Sequence, residues 1–341
     1  AAEISADIAG FERRKKESEA KGMLRGLGLC YYIESILGDP SEEAKVVFEE
    51  GLDVKIFVGT QSNGQGHETV FAQFLSDQIG IPVEKITVVQ GDTDLIPNGG
   101  GTGGSRSVTV QNNATLATVE KVIQSFSQYL SEKLEVSLEN IEFDDISFRI
   151  NGSNYSPNVL EVAKMAFDDH RFDLLTHSAK ATLDARSFPN GAHFAEVEVD
   201  PETGFVQVVR YSVVDDFGNL INPMLAQGQV HGGVAQGIGQ ALYEHVVFDQ
   251  EGQLLTATFM DYGMPRAQDL PYYKFETECV PSTANIMGMK GCGEAGTVGA
   301  LAAVANAVQD ALWDIGIQQV DMPFTSEKIW SMINLGNLAA E

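Results

Sequence analysis

Four glycine-dense segments, at 64–66, 98–104, 228–239 and 288–296, limit how this chain of 341 residues can fold more than any other feature. Glycine carries no Cβ and admits left-handed backbone, so such segments mark sharp turns or places where another group reaches the main chain. After Gly64-Gln65-Gly66, the apolar residues Val70, Phe71, Phe74 and Leu75 recur at helical spacing until Gly80. After Asn98-Gly-Gly-Gly-Thr-Gly-Gly-Ser-Arg-Ser107 a long helical pattern runs over 110–135. After 289–299 a small-residue pattern runs to about residue 315, and the remaining segment is itself a Gly/Gln-rich helix over 227–243.

Strand signals stand ahead of these turns. Extended segments are expected at 28–33, 46–51 and 53–59, where Val54, Ile56 and Val58 alternate, and at 85–90. In the second half, 193–199 and 205–214 flank Asp200-Pro-Glu-Thr-Gly204, which reads as a β-hairpin. The chain opens on a polar helix with a basic run, Arg13 to Lys16. Both halves run strand, glycine turn, helix. The expectation is therefore an α+β architecture of two related mixed-sheet subdomains, residues 1–180 and 181–341, with the site where their glycine turns meet.

Composition removes several functions. The net charge of −26 would repel nucleic acid, and no apolar run approaches the roughly 20 residues needed to span a bilayer. Cys30, Cys279 and Cys292 include no CxxC pair, which predicts a reducing, cytoplasmic setting and leaves no room in this chain for an iron–sulfur cluster. The six histidines form no HExxH or close cluster, so no protein-ligated metal is expected.

Two segments match GxGxxG literally, 99–104 and 291–296, but neither follows a strand directly and the second carries Glu294 where a phosphate would pass. A dinucleotide fold is disfavoured on that context. The 98–107 loop can be an anion cradle or a surface loop. Gln65 and Gln236, each flanked by small residues, can meet a ligand or cap a helix end. Glu294, between Gly293 and Ala295 at the start of a small-residue helix, reads as a general base or as a helix-capping carboxylate.

Taken together and in order, four motifs resemble the large subunits of the molybdenum hydroxylases, the family of xanthine dehydrogenase, aldehyde oxidase and carbon monoxide dehydrogenase. They are Gly64-Gln65-Gly66-His67, Gly101-Thr-Gly-Gly-Ser-Arg-Ser107, Gly228-Gln229-Val-His-Gly-Gly-Val-Ala-Gln236-Gly-Ile-Gly239 and Lys290-Gly-Cys-Gly-Glu294. The resemblance spans roughly 10–335, and the second motif looks most like the carbon monoxide dehydrogenase branch. It implies a molybdenum-cofactor-binding domain of aldehyde oxidase type, with Glu294 as catalytic base and Gln65 beside the metal's oxo group. It further implies that Gly64, Gln65, Gly66, His67, Gly101, Gly103, Gly104, Ser105, Arg106, Ser107, Gln236, Gly291 and Gly293 hold the cofactor. The metal would hang on the pterin dithiolene with no protein ligand, and the cofactor would be molybdopterin cytosine dinucleotide.

The implied reaction is oxidative hydroxylation of an aldehyde or N-heteroaromatic carbon with water as the oxygen source. Carbon monoxide oxidation and a non-catalytic cofactor-binding or assembly module are the alternatives. Implied partners are the remaining molybdenum-binding domain of the large subunit, iron–sulfur and FAD subunits, and a small-molecule substrate. Two residues depart from the pattern. His231 stands where many relatives have Glu, and Cys292 replaces a commoner small or apolar residue beside Glu294. Cys292 reads as a buried hydrophobe or as a substrate-facing thiol.

Overall fold

A computed structural model describes residues 2–334, so residues 335–341 of the expected second subdomain lie outside the described residues. The core is built on two four-stranded mixed sheets. The first contains β2 (Ser41–Phe48), β3 (Val54–Val58), β4 (Ile86–Val89) and β7 (Thr176–Thr182), in the order β4-β3-β2-β7. Period-two patterning makes them strands: Ala44, Val46 and Phe48 on β2, and Val54, Ile56 and Val58 on β3, all face inward and are buried. The helices α3 (His67–Ile79) and α4 (Ser107–Leu134) pack on this sheet, with Phe71, Leu75, Val122 and Phe126 fully buried, and α5 (Val159–Asp168) packs against α4. A small hairpin, β5 (Ile141–Phe143) with β6 (Phe148–Ile150), follows α4.

The second sheet contains β1 (Leu24–Ile33), β8 (Asn190–Val199), β9 (Val206–Asp216) and β10 (Tyr273–Thr277), in the order β1-β8-β9-β10. It carries α6 (Pro223–Leu242) and α7 (Ala295–Trp313), and α8 (Ser326–Asn334) closes the described chain. The alanine-rich face of α7 lies directly on β1 because Gly26 and Gly28 leave no side chain between them. A Cβ at Gly28 would stand 1.9 Å from the Ala303 carbonyl oxygen.

The two sheets repeat one plan. β2 and β3 are antiparallel, α3 crosses over to β4 parallel to β3, and α4 follows. Likewise β8 and β9 are antiparallel, α6 crosses over to β10 parallel to β9, and α7 follows. The outer position beside β2 is filled by β7, and the matching position beside β8 by β1 from the start of the chain. A division at residue 180 thus falls near the link between the sheets, yet residues 2–33 lie with the second. Their place is fixed by ten paired residues between β1 and β8 and by Arg14, whose buried guanidinium grips Glu196 at 2.6 Å. This Arg14 is part of the basic run in the opening segment, which forms two helices, α1 (Ala2–Ala9) and α2 (Phe11–Glu19).

Periodicity located α3, α4, α6 and α7. It missed α5, α8, the hairpin β5–β6, β7 and the five-residue β10. β7 reads Thr-His-Ser-Ala-Lys-Ala-Thr, whose polar half conceals the alternation, and only pairing with β2 makes it a strand.

Candidate functional site

The repeated plan brings four helix N-termini to one place. A cavity of about 430 Å³ is lined by the turn entering α3, the loop entering α4, residues 219–229 at the start of α6 and residues 289–294 before α7. Each N-terminus exposes backbone N–H groups without intrahelical partners and carries positive potential. At α6, Asn222 caps by accepting the Leu225 N–H at 3.1 Å, with Pro223 in the first turn. At α3, Gly66 enters in the left-handed region, φ 82°. The cationic side chain on the cavity wall, Lys290, is paired with Asp216. Attraction for an anion therefore comes from the main chain.

Glu294 stands at the N-cap of α7. Its turn is held from three sides. The Lys290 N–H donates to the Phe217 carbonyl at 2.9 Å, Gln229 Nε2 donates to the Gly293 carbonyl at 2.6 Å, and the Glu294 N–H donates to Ser105 Oγ at 3.0 Å. Ser105 Oγ also lies 3.1 Å from Glu294 Oε2 and 2.5 Å from Glu34 Oε1. Ser105 is buried and has φ 56°, a left-handed conformation that a non-glycine residue holds only when its surroundings over-determine it. Glu34, just past the end of β1, is half-buried. Burial pushes its carboxyl up from the ordinary range and the neighbouring Glu294 adds to this, against a smaller opposing effect of the Ser105 hydroxyl. Glu294 is exposed on the open side of the cavity, so this chain's own residues do not shield it from water.

Of the residues singled out from sequence, Gln65, His67, Gly103, Gly104, Ser105, Ser107, Gly291, Gly293 and Glu294 line this cavity. Gln65 Oε1 accepts the Asn63 N–H at 2.5 Å, and His67, buried at the start of α3, is held by the Thr60 carbonyl at 3.1 Å. Gly64 and Gly66 shape the turn between them, both at positive φ. Gly103 has no atom within 4 Å of where a Cβ would stand, so the loop leaves open space there.

Three others stand off the cavity wall. Arg106 is 3% exposed and its guanidinium is consumed by the carbonyls of Asp39, Gly101 and Ser41 and by the carboxylate of Glu42, so it braces the glycine loop from behind. Gln236, well along α6, accepts from Thr297 Oγ at 3.1 Å and is not on the cavity wall. Gly101 serves through its carbonyl to Arg106 and is also off the wall. Sequence reasoning did not select Gln229 or Glu34. Gln229 was visible within the third motif. Glu34 had no signal, because its partners are distant in sequence. His231 packs edge-on against Tyr273, ring centroids 5.3 Å apart, and Cys292 lines the cavity with its thiol pushed up to about 12 by burial.

Among the described residues no three His, Cys, Asp or Glu side chains are arranged to hold an ion, and no helix is long and apolar enough to cross a membrane.

The family model of the molybdopterin cofactor-binding domain matches residues 1–271. The chain is 33% identical over 333 residues to the 6-hydroxypseudooxynicotine dehydrogenase complex subunit gamma of Paenarthrobacter nicotinovorans, covering 96% of this chain and 42% of that protein. It is 29% identical over 355 residues to the carbon monoxide dehydrogenase large chain of Afipia carboxidovorans, covering 96% and 43%. Among solved structures it superposes on quinoline 2-oxidoreductase from Pseudomonas putida 86 with a TM-score of 0.88, at 31% identity over 96% of this chain and 44% of that one. The chain thus spans less than half the length of the relatives it matches.

Proposed function

This chain belongs to the family of molybdopterin cofactor-binding domains, and from that premise we propose that it forms the part of a molybdenum hydroxylase large subunit that carries the base. The observation that bears the reading is the convergence of four helix N-termini and glycine turns on one cavity with a single serine-held carboxylate, Glu294, on its wall. The residues present fit a large anionic ligand. Backbone N–H groups supply the positive potential, the open space at Gly103 lets a ligand come close to the main chain, and Gly291 and Gly293 let the turn before α7 close on Ser105. Gln65, Gly103, Gly104, Ser105, Ser107, Gly291 and Gly293 would hold it, in the dinucleotide form by resemblance.

Replacing C–H by C–OH with water as oxygen source releases two protons and two electrons. The bound molybdenum cofactor supplies the two-electron redox chemistry. Glu294 accepts a proton at its carboxylate, and its position is set by Ser105, Gln229 and the Phe217 carbonyl acting on the turn. The electrons would leave through iron–sulfur and FAD centres on partner subunits, and the rest of the large subunit would close the open side of the cavity. Two relatives are named for nicotine-derived and quinoline chemistry, which supports an N-heteroaromatic substrate first and an aldehyde next. The likeness to a carbon monoxide dehydrogenase supports carbon monoxide oxidation as the second reading. A cytoplasmic setting agrees with three unpaired thiols.

The test is Glu294→Gln in the assembled enzyme. Turnover should fall about 10²- to 10⁴-fold, the range general-base catalysis supplies, with molybdenum content and melting temperature unchanged. Wild-type turnover in that variant removes the catalytic role and leaves a cofactor-binding module.

A further inference from the structure

A second carboxylate, Glu34, stands behind Glu294 and is bound to the same hydroxyl. We infer that Glu34 holds a proton that it shares with Glu294 across Ser105 Oγ, so that the basic group of this site is a serine-bridged carboxyl pair. The inference takes Glu294 as the base and adds what sets its behaviour.

Hydrogen-bond accounting carries the argument. A serine hydroxyl has one proton to donate and two lone pairs to accept with. At Ser105 Oγ one lone pair takes the Glu294 N–H at 3.0 Å. Two carboxyl oxygens remain, Glu34 Oε1 at 2.5 Å and Glu294 Oε2 at 3.1 Å. The single hydroxyl proton satisfies one of them. The other contact is then a repulsion between two oxygens unless its carboxyl group carries a proton and donates to the free lone pair. The arrangement closes when the Glu34 carboxyl donates to Ser105 Oγ, the hydroxyl donates to Glu294 Oε2, and Glu294 remains ionised. The 2.5 Å separation is in the range of charge-assisted or acidic O–H···O bonds.

Burial assigns the proton to Glu34. Its other oxygen, Oε2, is buried and has no partner among the described residues, a position that an ionised carboxylate tolerates poorly and a neutral carboxyl tolerates well. Glu294 by contrast faces the open cavity. The titratable groups around Glu34 are Glu294 and Cys292 from the turn before α7 and Tyr32 from its own strand, with Asp215 of β9 bonded to the Tyr32 hydroxyl at 2.9 Å. None of these favours a negative charge on Glu34; burial and Glu294 raise its proton affinity and outweigh the Ser105 hydroxyl, which acts the other way. Glu34 is thus a positioning residue. Its neutral carboxyl keeps the Ser105 hydroxyl proton aimed at Glu294, and its ionisation at higher pH would turn that proton away.

The experiment is infrared spectroscopy of the full chain, with and without its cofactor, over a pH series. At pH 7 the wild type should show the C=O band of a protonated carboxyl that Glu34→Gln removes. In Glu294→Gln the midpoint at which this band disappears should move down by on the order of one pH unit, because a like charge has been removed. In the loaded enzyme, the alkaline arm that Glu34 ionisation places on kcat/KM should be lost in Glu34→Gln. A wild-type spectrum without such a band, or one that Glu34→Gln leaves in place, overturns the inference. Should Glu34→Gln fail to fold, an unmoved midpoint in Glu294→Gln overturns it equally. Retained turnover in Glu294→Gln would instead sink the assignment of the base and leave the shared proton to be judged by the band alone.

Discussion

Gly291→Ala is the sharpest test of how the two carboxylates are placed. A Cβ at residue 291 would stand 1.8 Å from the Ser105 carbonyl oxygen and 2.9 Å from Ile36 Cγ2, whereas real Cβ contacts essentially never fall below 3.0 Å. The obstacle is backbone, so either the turn before α7 or the loop before α4 must retreat by more than 1 Å. The first carries Glu294 and the second carries Ser105, the atom that holds both carboxyl groups. A misplacement of about 1 Å at reacting groups costs on the order of 10²-fold in rate. Overpacking of this kind costs about 1–3 kcal/mol, which lowers the melting temperature by roughly 2–4 °C per kcal/mol in a domain of a few hundred residues.

The assay is kcat/KM of the assembled enzyme with molybdenum content and melting temperature measured on the same samples. Gly103→Ala is the control. Its backbone is outside the left-handed region and nothing lies within 4 Å of the added methyl, so the fold should hold while cofactor content falls. Wild-type turnover and stability in Gly291→Ala would show that the two turns are not in close contact and would refute the reasoning.

Arg106→Met should destabilise by about 3–5 kcal/mol, because Glu42, whose side chain is fully buried, loses its partner. The denaturation midpoint in urea reads this, and an unchanged midpoint would return Arg106 to the ligand side of the loop. Alkylation by iodoacetamide at pH 8 should modify exposed Cys279 and spare Cys292, whose thiol is pushed up to about 12 and stays protonated. Rapid labelling of Cys292 would contradict that. Because burial raises the Glu34 carboxyl in the folded state, its contribution to stability is complete below the ordinary carboxylate range and is lost as pH rises through the raised value. Between the ordinary carboxylate range and that raised value, melting temperature should therefore fall more with rising pH in wild type than in Glu34→Gln, and superimposable curves would exclude it.

How much of this was legible in the sequence follows from the range of the interactions. The helices were, because 3.6-residue periodicity and glycine punctuation are local, and α3, α6 and α7 begin within a few residues of where the pattern puts them. The glycine turns of the cavity were legible for the same reason. The partners of Arg106 were not legible in a motif: a guanidinium inside a glycine loop reads as a phosphate ligand, and its bond to Glu42 joins residues 64 apart. Gln236, chosen for its glycine neighbours, stands off the wall of this cavity. Gly237 leaves room for Ala300 of α7, at 2.5 Å from a would-be Cβ, and has nothing to do with the cavity.

The sequence by itself determined the helices α3, α4, α6 and α7, the glycine turns that precede them, and the carboxylate placed at the start of a small-residue helix, because each of these is written in a short window of the chain. Tertiary structure alone decided that β1 crosses over to the second sheet, pairing residues 24–33 with 190–199. It also brought Glu34 to within 2.5 Å of Ser105, 71 residues away. Those outcomes depend on which surfaces bury one another and on where a charge can be left unsolvated, and neither is set by neighbours along the chain.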